Sequence, residues 1–152
     1  MTIDIIYSNV LGRYIEIEYG TKLCSIRFCR PGKHSKEKKT HVVTSGLERY
    51  FKGEIIDFSF DVDISNLSPF VQKVLEETRK IKYGKTMTYS ELAKKIGSMG
   101  VRAVGNALGK NPVPIIIPCH RVVAKKGPGG YSEGIDLNTR LLELEKRNAN
   151  NL

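Results

Sequence analysis

The sequence predicts an α+β protein, with a small antiparallel sheet and one helix in residues 1–67 and a mostly helical unit in 68–152 that contains a helix-turn-helix. Three observations carry that expectation. Short runs of β-branched and aromatic residues crowd the first third of the chain. Amphipathic segments with capping residues fill most of the rest. Between the two, residues 64–67 read as a linker, and Ser68-Pro69 supplies an N-cap serine followed by proline at the first helical position, where a backbone N–H is not needed.

Taken in order, residues 3–7, 14–19 and 22–29 read as strands of an antiparallel meander, separated by turns at Gly12 and Gly20-Thr21. Residues 31–39 form a charged loop. Over 40–51, Val42, Val43, Leu47, Tyr50 and Phe51 fall at helical spacings, with Gly53 as the stop. Phe58, Phe60 and Val62 alternate with Ser59, Asp61 and Asp63, which predicts one more strand. Beyond the linker, Phe70, Val71, Val74, Leu75 and Thr78 form the apolar stripe of a helix ending near Tyr83-Gly84. A short helix over 88–97, stopped by Gly97, and a second over 101–108 flank a turn containing Gly100. This pair predicts the helix-turn-helix, a pattern shared with helical hairpins that have no nucleic-acid role. Gly127, Gly129 and Gly130 mark a loop, and 138–147 a closing helix with Leu141, Leu142, Leu144 and Glu145.

The chain has 152 residues, 40% of them apolar, enough for a substantial core. No apolar run approaches the roughly 20 residues that span a bilayer, and the first residues lack a basic-then-apolar leader pattern, so secretion and membrane insertion are not expected. Three cysteines cannot all pair with one another, which fits a reducing cytoplasm, or the nucleus of a eukaryote. Charge is uneven along the chain. Residues 1–67 hold ten Lys and Arg against nine Asp and Glu, net +1, whereas 68–152 hold fifteen against seven, net +8. A field of that sign attracts polyanions, although it also serves solubility alone.

The helical unit carries the chemistry. Residues 111–123, NPVPIIIPCHRVV, bring one cysteine beside one histidine at the end of an apolar run holding three prolines. Proline fixes φ near about −65° and removes a donor, so the run reads as a stiff extended wall. A thiolate is a far better nucleophile than a thiol, and a free cysteine titrates near about 8.5, so Cys119 needs a base such as His120. Adjacent residues on an extended segment point apart, which favours a bridging water between the two. Glu145, set among Glu143, Lys146 and Arg147, reads first as a solvated helix residue. Cys24, Cys29, His34 and His41 lack the close cysteine spacing of strong zinc motifs, so neither a metal nor any organic cofactor is expected.

In Arg102-Ala103-Val104-Gly105, Asn111-Pro112-Val113-Pro114, Pro118-Cys119-His120-Arg121-Val122, Gly129-Gly130-Tyr131-Ser132 and Leu141-Leu142-x-x-Glu145, the sequence resembles the O6-alkylguanine-DNA alkyltransferase family, in the family's order and spacing. The resemblance covers about residues 68–147. Residues 1–67 agree only in size and character. The family's activity implies suicidal, single-turnover transfer of an alkyl group from O6-alkylguanine in double-stranded DNA to Cys119, with O4-alkylthymine a second substrate class. It implies a water relay through His120 to Glu145 and a base flipped through a minor-groove helix-turn-helix. Arg102 would enter the space the base leaves, Tyr89 would displace a phosphate and later bond guanine, and Ser90 would hold phosphate. Asn111 would brace the turn before the cysteine. Pro114 and Tyr131 would line the pocket, with Ser132 donating to O6. Plain alternatives stand beside several roles: a surface ion pair for Arg102, a helix C-cap for Asn111, and packing for Pro114 and Tyr131. Arg121 is expected to tie the two units together. Asn138 stands where the family commonly has lysine. The protein is expected to act as a monomer, with cooperative clustering on DNA left open. Two other readings are a non-enzymatic lesion-binding module, which the presence of Cys119 opposes, and a cysteine hydrolase, which lacks an evident oxyanion hole.

Overall fold

The structure, a computed structural model, describes all residues except 31, 33, 35, 99, 126–134, 151 and 152, together with the side chains of 135 and 136. Strands β1 (Thr2–Ser8), β2 (Arg13–Tyr19) and β3 (Leu23–Cys29) form the expected antiparallel meander in the order β1-β2-β3. The register pairs Ile6 with Ile15 and Ile17 with Ile26, so the alternation in each strand delivers these isoleucines to one buried face. Helix α1 (Val42–Phe51) packs near β1. Its attachment is polar as well as apolar. The buried Asp4 accepts from the backbone of Thr40 and His41 and from the hydroxyls of Thr40 and Thr44. Burial opposes its charge, but these hydrogen bonds outweigh that and hold its pKa at about 2.

Residues 58–63 do not form the expected strand. Their burial alternates as predicted, with Phe58, Phe60 and Val62 partly buried against the core, but ladder pairing is limited to Leu23 with Val62. The outer edge of β3 is shared instead. Leu23 bonds to Asp61 and Asp63, and the N–H of Ile26 donates to the carbonyl of Pro112, 2.8 Å away. That last bond ties the sheet directly to the proline-rich segment. Period-2 burial thus requires an apolar surface to lie on, not a strand to pair with.

Helix α2 (Pro69–Arg79) begins as read: Ser68 Oγ accepts the N–H of Val71, with Pro69 at the first position. It ends before the expected 83–84, and Ile81 to Gly84 turn away, with Gly84 at φ +77°. Helix α3 (Tyr89–Lys95) is closed at its start by a capping box between Thr88 and Glu91 and released at Gly97, φ +73°. Helix α4 (Val101–Leu108) follows within the same helix-turn-helix and packs on α2 and α3. Two residues before α3, β4 (Met87–Thr88), pair in parallel with β5 (Val122–Val123). Helix α5 (Ile135–Ala149) closes the chain. One buried apolar cluster includes Ile17 and Leu47 as well as Leu75, Leu108 and Leu141. Among the described residues, no helix is long and apolar enough to cross a membrane.

Candidate active site

The segment from Asn111 to Pro118 is not an extended wall. It folds back on itself: the N–H of Ile117 donates to the carbonyl of Val113, and Pro114 and Ile117 bridge. At the bend, Ile115 has φ +76°, a left-handed conformation that β-branched residues rarely adopt. Packing holds it there, since Val113, Ile115, Ile116 and Ile117 are all fully buried. Prolines at 112, 114 and 118 restrict φ but not ψ, which leaves the chain free to turn between them. The Asn111 side chain braces both ends of the bend, with Nδ2 donating to the carbonyl of Ile117 at 2.8 Å and Oδ1 accepting from Val113 at 3.0 Å.

Leaving the bend, Cys119–Arg121 form one 3-10 turn in which all three residues are buried. The sequence reading put Cys119 and His120 on extended chain; the turn replaces that geometry. Cys119 is 3% exposed. His120 Nε2 lies 2.6 Å from Glu145 Oε2. The solvated-surface reading of Glu145 is therefore overturned, because this residue is 1% exposed on the inner side of α5.

Glu145 is the hub of the site. Arg121 donates from Nε to Oε1 (2.8 Å) and from Nη2 to Oε2 (3.1 Å), the N–H of Gly84 donates to Oε1, and the Tyr50 hydroxyl donates to Oε2 at 2.6 Å. Arg121 Nη1 reaches the carbonyl of Ile81 and, at 2.9 Å, Asp57, so it joins residues on both sides of the 64–67 segment as expected. Burial pushes the Glu145 pKa up, yet the hydrogen bonds from His120 and then Arg121, with the guanidinium's positive charge, outweigh it and hold the carboxyl at about 2. Burial, helped by the charge of Arg121, lowers the His120 pKa below its ordinary value against the opposing hydrogen bond and charge of Glu145. The two facts fix the tautomer. An ionised carboxylate only accepts, so Nε2 of the neutral imidazole carries the hydrogen and Nδ1 carries the lone pair. Nδ1 is buried and has no hydrogen-bond partner among the described residues.

The β4–β5 pairing sets Tyr89, the first residue of α3, beside this turn. Burial, and then the charge on Cys119, raise the pKa of its phenol, which places the Tyr89 ring in the electrostatic neighbourhood of the thiol. Ser90 and Arg102 are exposed at the starts of α3 and α4, and Pro114 is buried in the bend. Tyr131 and Ser132 lie outside the described residues. Asn138 is buried, and its Nδ2 has no partner among the described residues. Tyr50, Asp57 and Gly84 escaped the sequence reading. Tyr50 looked like one more apolar residue of α1, and nothing local marks a hydroxyl that meets a carboxylate 95 residues away.

Fold and site together define a class: a buried cysteine with a histidine–carboxylate pair, carried next to a helix-turn-helix. Known proteins are similar to this chain in sequence and fold. The family model for the 6-O-methylguanine DNA methyltransferase DNA-binding domain matches residues 69–147. A methylated-DNA–protein-cysteine methyltransferase of Metallosphaera sedula is 39% identical over 142 residues, spanning 91% of this chain and 90% of its own. A probable methylated-DNA–protein-cysteine methyltransferase of Acanthamoeba polyphaga mimivirus is 40% identical over 151 residues, 97% and 99% of the two chains. The crystal structure of Mycobacterium tuberculosis OGT in complex with DNA matches with a TM-score of 0.79 at 34% identity, covering 95% of this chain and 92% of that one. The O6-methylguanine-DNA methyltransferase of Pyrococcus kodakaraensis matches with a TM-score of 0.76 at 28% identity, covering 94% and 97%. The chain belongs to the methylated-DNA–protein-cysteine methyltransferase family.

Proposed function

We propose that this protein repairs DNA directly, taking the alkyl group of O6-alkylguanine onto Cys119 in a single turnover. The observation that carries the assignment of the acceptor is the buried pair of Glu145 on α5 with His120, which shares the turn of Cys119, with Nδ1 left as the basic nitrogen. In the reaction, His120 takes the thiol proton through a water. The Sγ thiolate then attacks the alkyl carbon, the S–C bond forms as the C–O6 bond breaks, and the electron pair remains on guanine, which takes up a proton. Glu145 keeps the imidazole in the required tautomer and stabilises it once charged, the part a carboxylate plays in other nucleophile–base sets.

A guanine inside a duplex is out of reach of a buried thiol, so the base must be flipped. The exposed Ser90 and Arg102 and the half-buried Tyr89 of the helix-turn-helix suit phosphate contact, insertion and base delivery in that order. Pro114 would form one wall of the pocket, and Tyr131 and Ser132 would complete it. Within this reading, residues 1–67 form one unit and 68–152 the DNA-binding and alkyl-transfer unit, working as a monomer in the cytoplasm.

Incubation with a duplex containing one O6-methylguanine should add the mass of one CH2 to the Cys119 peptide, once per molecule. A folded protein whose Cys119 peptide stays unmodified overturns the assignment. Cys119→Ala should still bind DNA, with an affinity that falls steeply as salt rises.

A further inference from the structure

Away from Cys119, the outer face of the sheet gathers a second set of ligating side chains. Cross-strand pairing of Glu16 with Ile5 and Arg27, and of Cys29 with Tyr14, puts Glu16, Tyr14 and Cys29 on the face opposite the buried isoleucines. A thiol on that face at the end of a strand would ordinarily be wet. Cys29 is only 6% exposed; beyond β3, Lys38 bridges Ile5 and the His34 ring lies 5.8 Å from Tyr14. Three donors meet there. Cys29 Sγ is 3.2 Å from Glu16 Oε1, His34 Nε2 is 3.7 Å from Glu16 Oε2, and one ligand atom from each of the three residues lies within 4.8 Å of the others. His34 Nε2 is buried and makes no hydrogen bond to a described residue.

These separations are close to those of a coordination sphere. With Zn–S near 2.3 Å and Zn–N or Zn–O near 2.1 Å, neighbouring ligand atoms around a tetrahedral ion stand roughly 3.4–3.6 Å apart. The separations from Cys29 and from His34, each to a different oxygen of the Glu16 carboxylate, bracket that value, and one ligand atom from each of the three residues comes to such spacing with a movement of about 1.2 Å at most. We propose that Glu16, Cys29 and His34 bind one divalent ion of the zinc class, with solvent in the fourth position. Binding replaces the thiol proton: an Sγ–metal bond forms, one proton leaves to solvent, and carboxylate and thiolate together neutralise the ion's two charges. Of the four residues whose spacing spoke against a metal, Cys29 and His34 take part, while Cys24 and His41 do not. Cys24 instead donates to the carbonyl of Lys22, and His41 stacks on Tyr19. The sheet register supplies the third ligand, Glu16, which lies too far from Cys29 in sequence for any motif to contain it.

The test uses the full chain carrying Cys119→Ser, which removes the other buried thiol from the count. After chelator treatment and dialysis, the protein is titrated with Co2+ and then with Zn2+ against a chromophoric chelator. The expected result is one equivalent of Co2+, with the visible bands of a tetrahedral ion and a thiolate-to-cobalt charge-transfer band, displaced by Zn2+. Cys29→Ser and His34→Ala should each weaken binding by at least about tenfold and Cys29→Ser should abolish the charge-transfer band, whereas Cys24→Ser should change neither. Circular dichroism of the metal-free variants checks their fold; if Cys29→Ser unfolds, Glu16→Gln and His34→Ala carry the same comparison. Failure to saturate at one equivalent, or full affinity retained in the folded ligand variants, overturns the proposal.

Discussion

Glu145 accepts hydrogen bonds from four residues at three distant places in the sequence, and two of those partners are cationic or become so during the reaction. Glu145→Gln removes the charge but little volume. It leaves Arg121 buried with only Asp57 as a counter-charge, which should cost about 3–5 kcal/mol of stability. It also lets an amide N–H face His120, so Nδ1 is no longer held as the basic nitrogen, and alkyl transfer should slow by about 10²–10⁴-fold. Denaturant unfolding and the rate of appearance of the alkylated Cys119 peptide measure the two effects. Tyr50→Phe separates them in part. It deletes one hydrogen bond to a charged group and should cost about 1.5–3 kcal/mol while leaving the tautomer in place, so the rate should fall far less than in Glu145→Gln.

Among the elements, the bend over residues 111–118 and the start of α2 were both legible, but to different depths. Ser68 and Pro69 act locally, through a cap whose geometry spans three residues, so the reading of α2's first turn needs no tertiary information. Ser68→Ala should lower stability by about 1 kcal/mol and leave the alkyl-transfer rate unchanged. The bend differs. Its prolines were visible, yet the positive φ of Ile115 depends on burial against the core, which a local propensity argument cannot supply. Asn111→Ala breaks both braces of the bend and should cost about 1–3 kcal/mol. Because Cys119 follows directly from the braced chain, that variant should also slow transfer, and comparison with Ser68→Ala in one rate and unfolding series distinguishes the two roles. The 58–63 segment makes the same point in reverse: its alternation is visible in the sequence, but its pairing with β3 stops at Leu23, and the N–H of Ile26 further along that edge donates to Pro112 instead.

For the whole molecule, acid should be the destabilising direction. His120 has a pKa below its ordinary value, so the unfolded chain binds its proton first; the stability it contributes is fully present above about pH 6.5 and declines as pH falls below that. Asp4 and Glu145, both held at about 2, contribute stability that is present above the unfolded carboxylate range and is lost as pH falls from about 4.5 toward 2. Thermal midpoints should therefore drop in two stages between pH 7 and pH 3, with the second stage much reduced in Glu145→Gln. The uneven charge acts on association instead. With net +8 in residues 68–152, log affinity for DNA should fall linearly with log salt, as measured by titration at several salt concentrations.

Periodicity, caps and turn residues act over a few residues, so the three-strand meander, the helices, the capped helix-turn-helix and the cysteine beside the histidine could be read from the chain alone, whereas Glu145 entered only through the family's motif. The burial of Glu145, its network with Tyr50, Asp57 and Gly84, the bend of the proline segment, the missing strand at 58–63 and the meeting of Glu16 with Cys29 and His34 come from the packed fold. Each of those facts depends on which distant surfaces exclude water together, and desolvation is a property of the packed molecule that no stretch of chain carries alone.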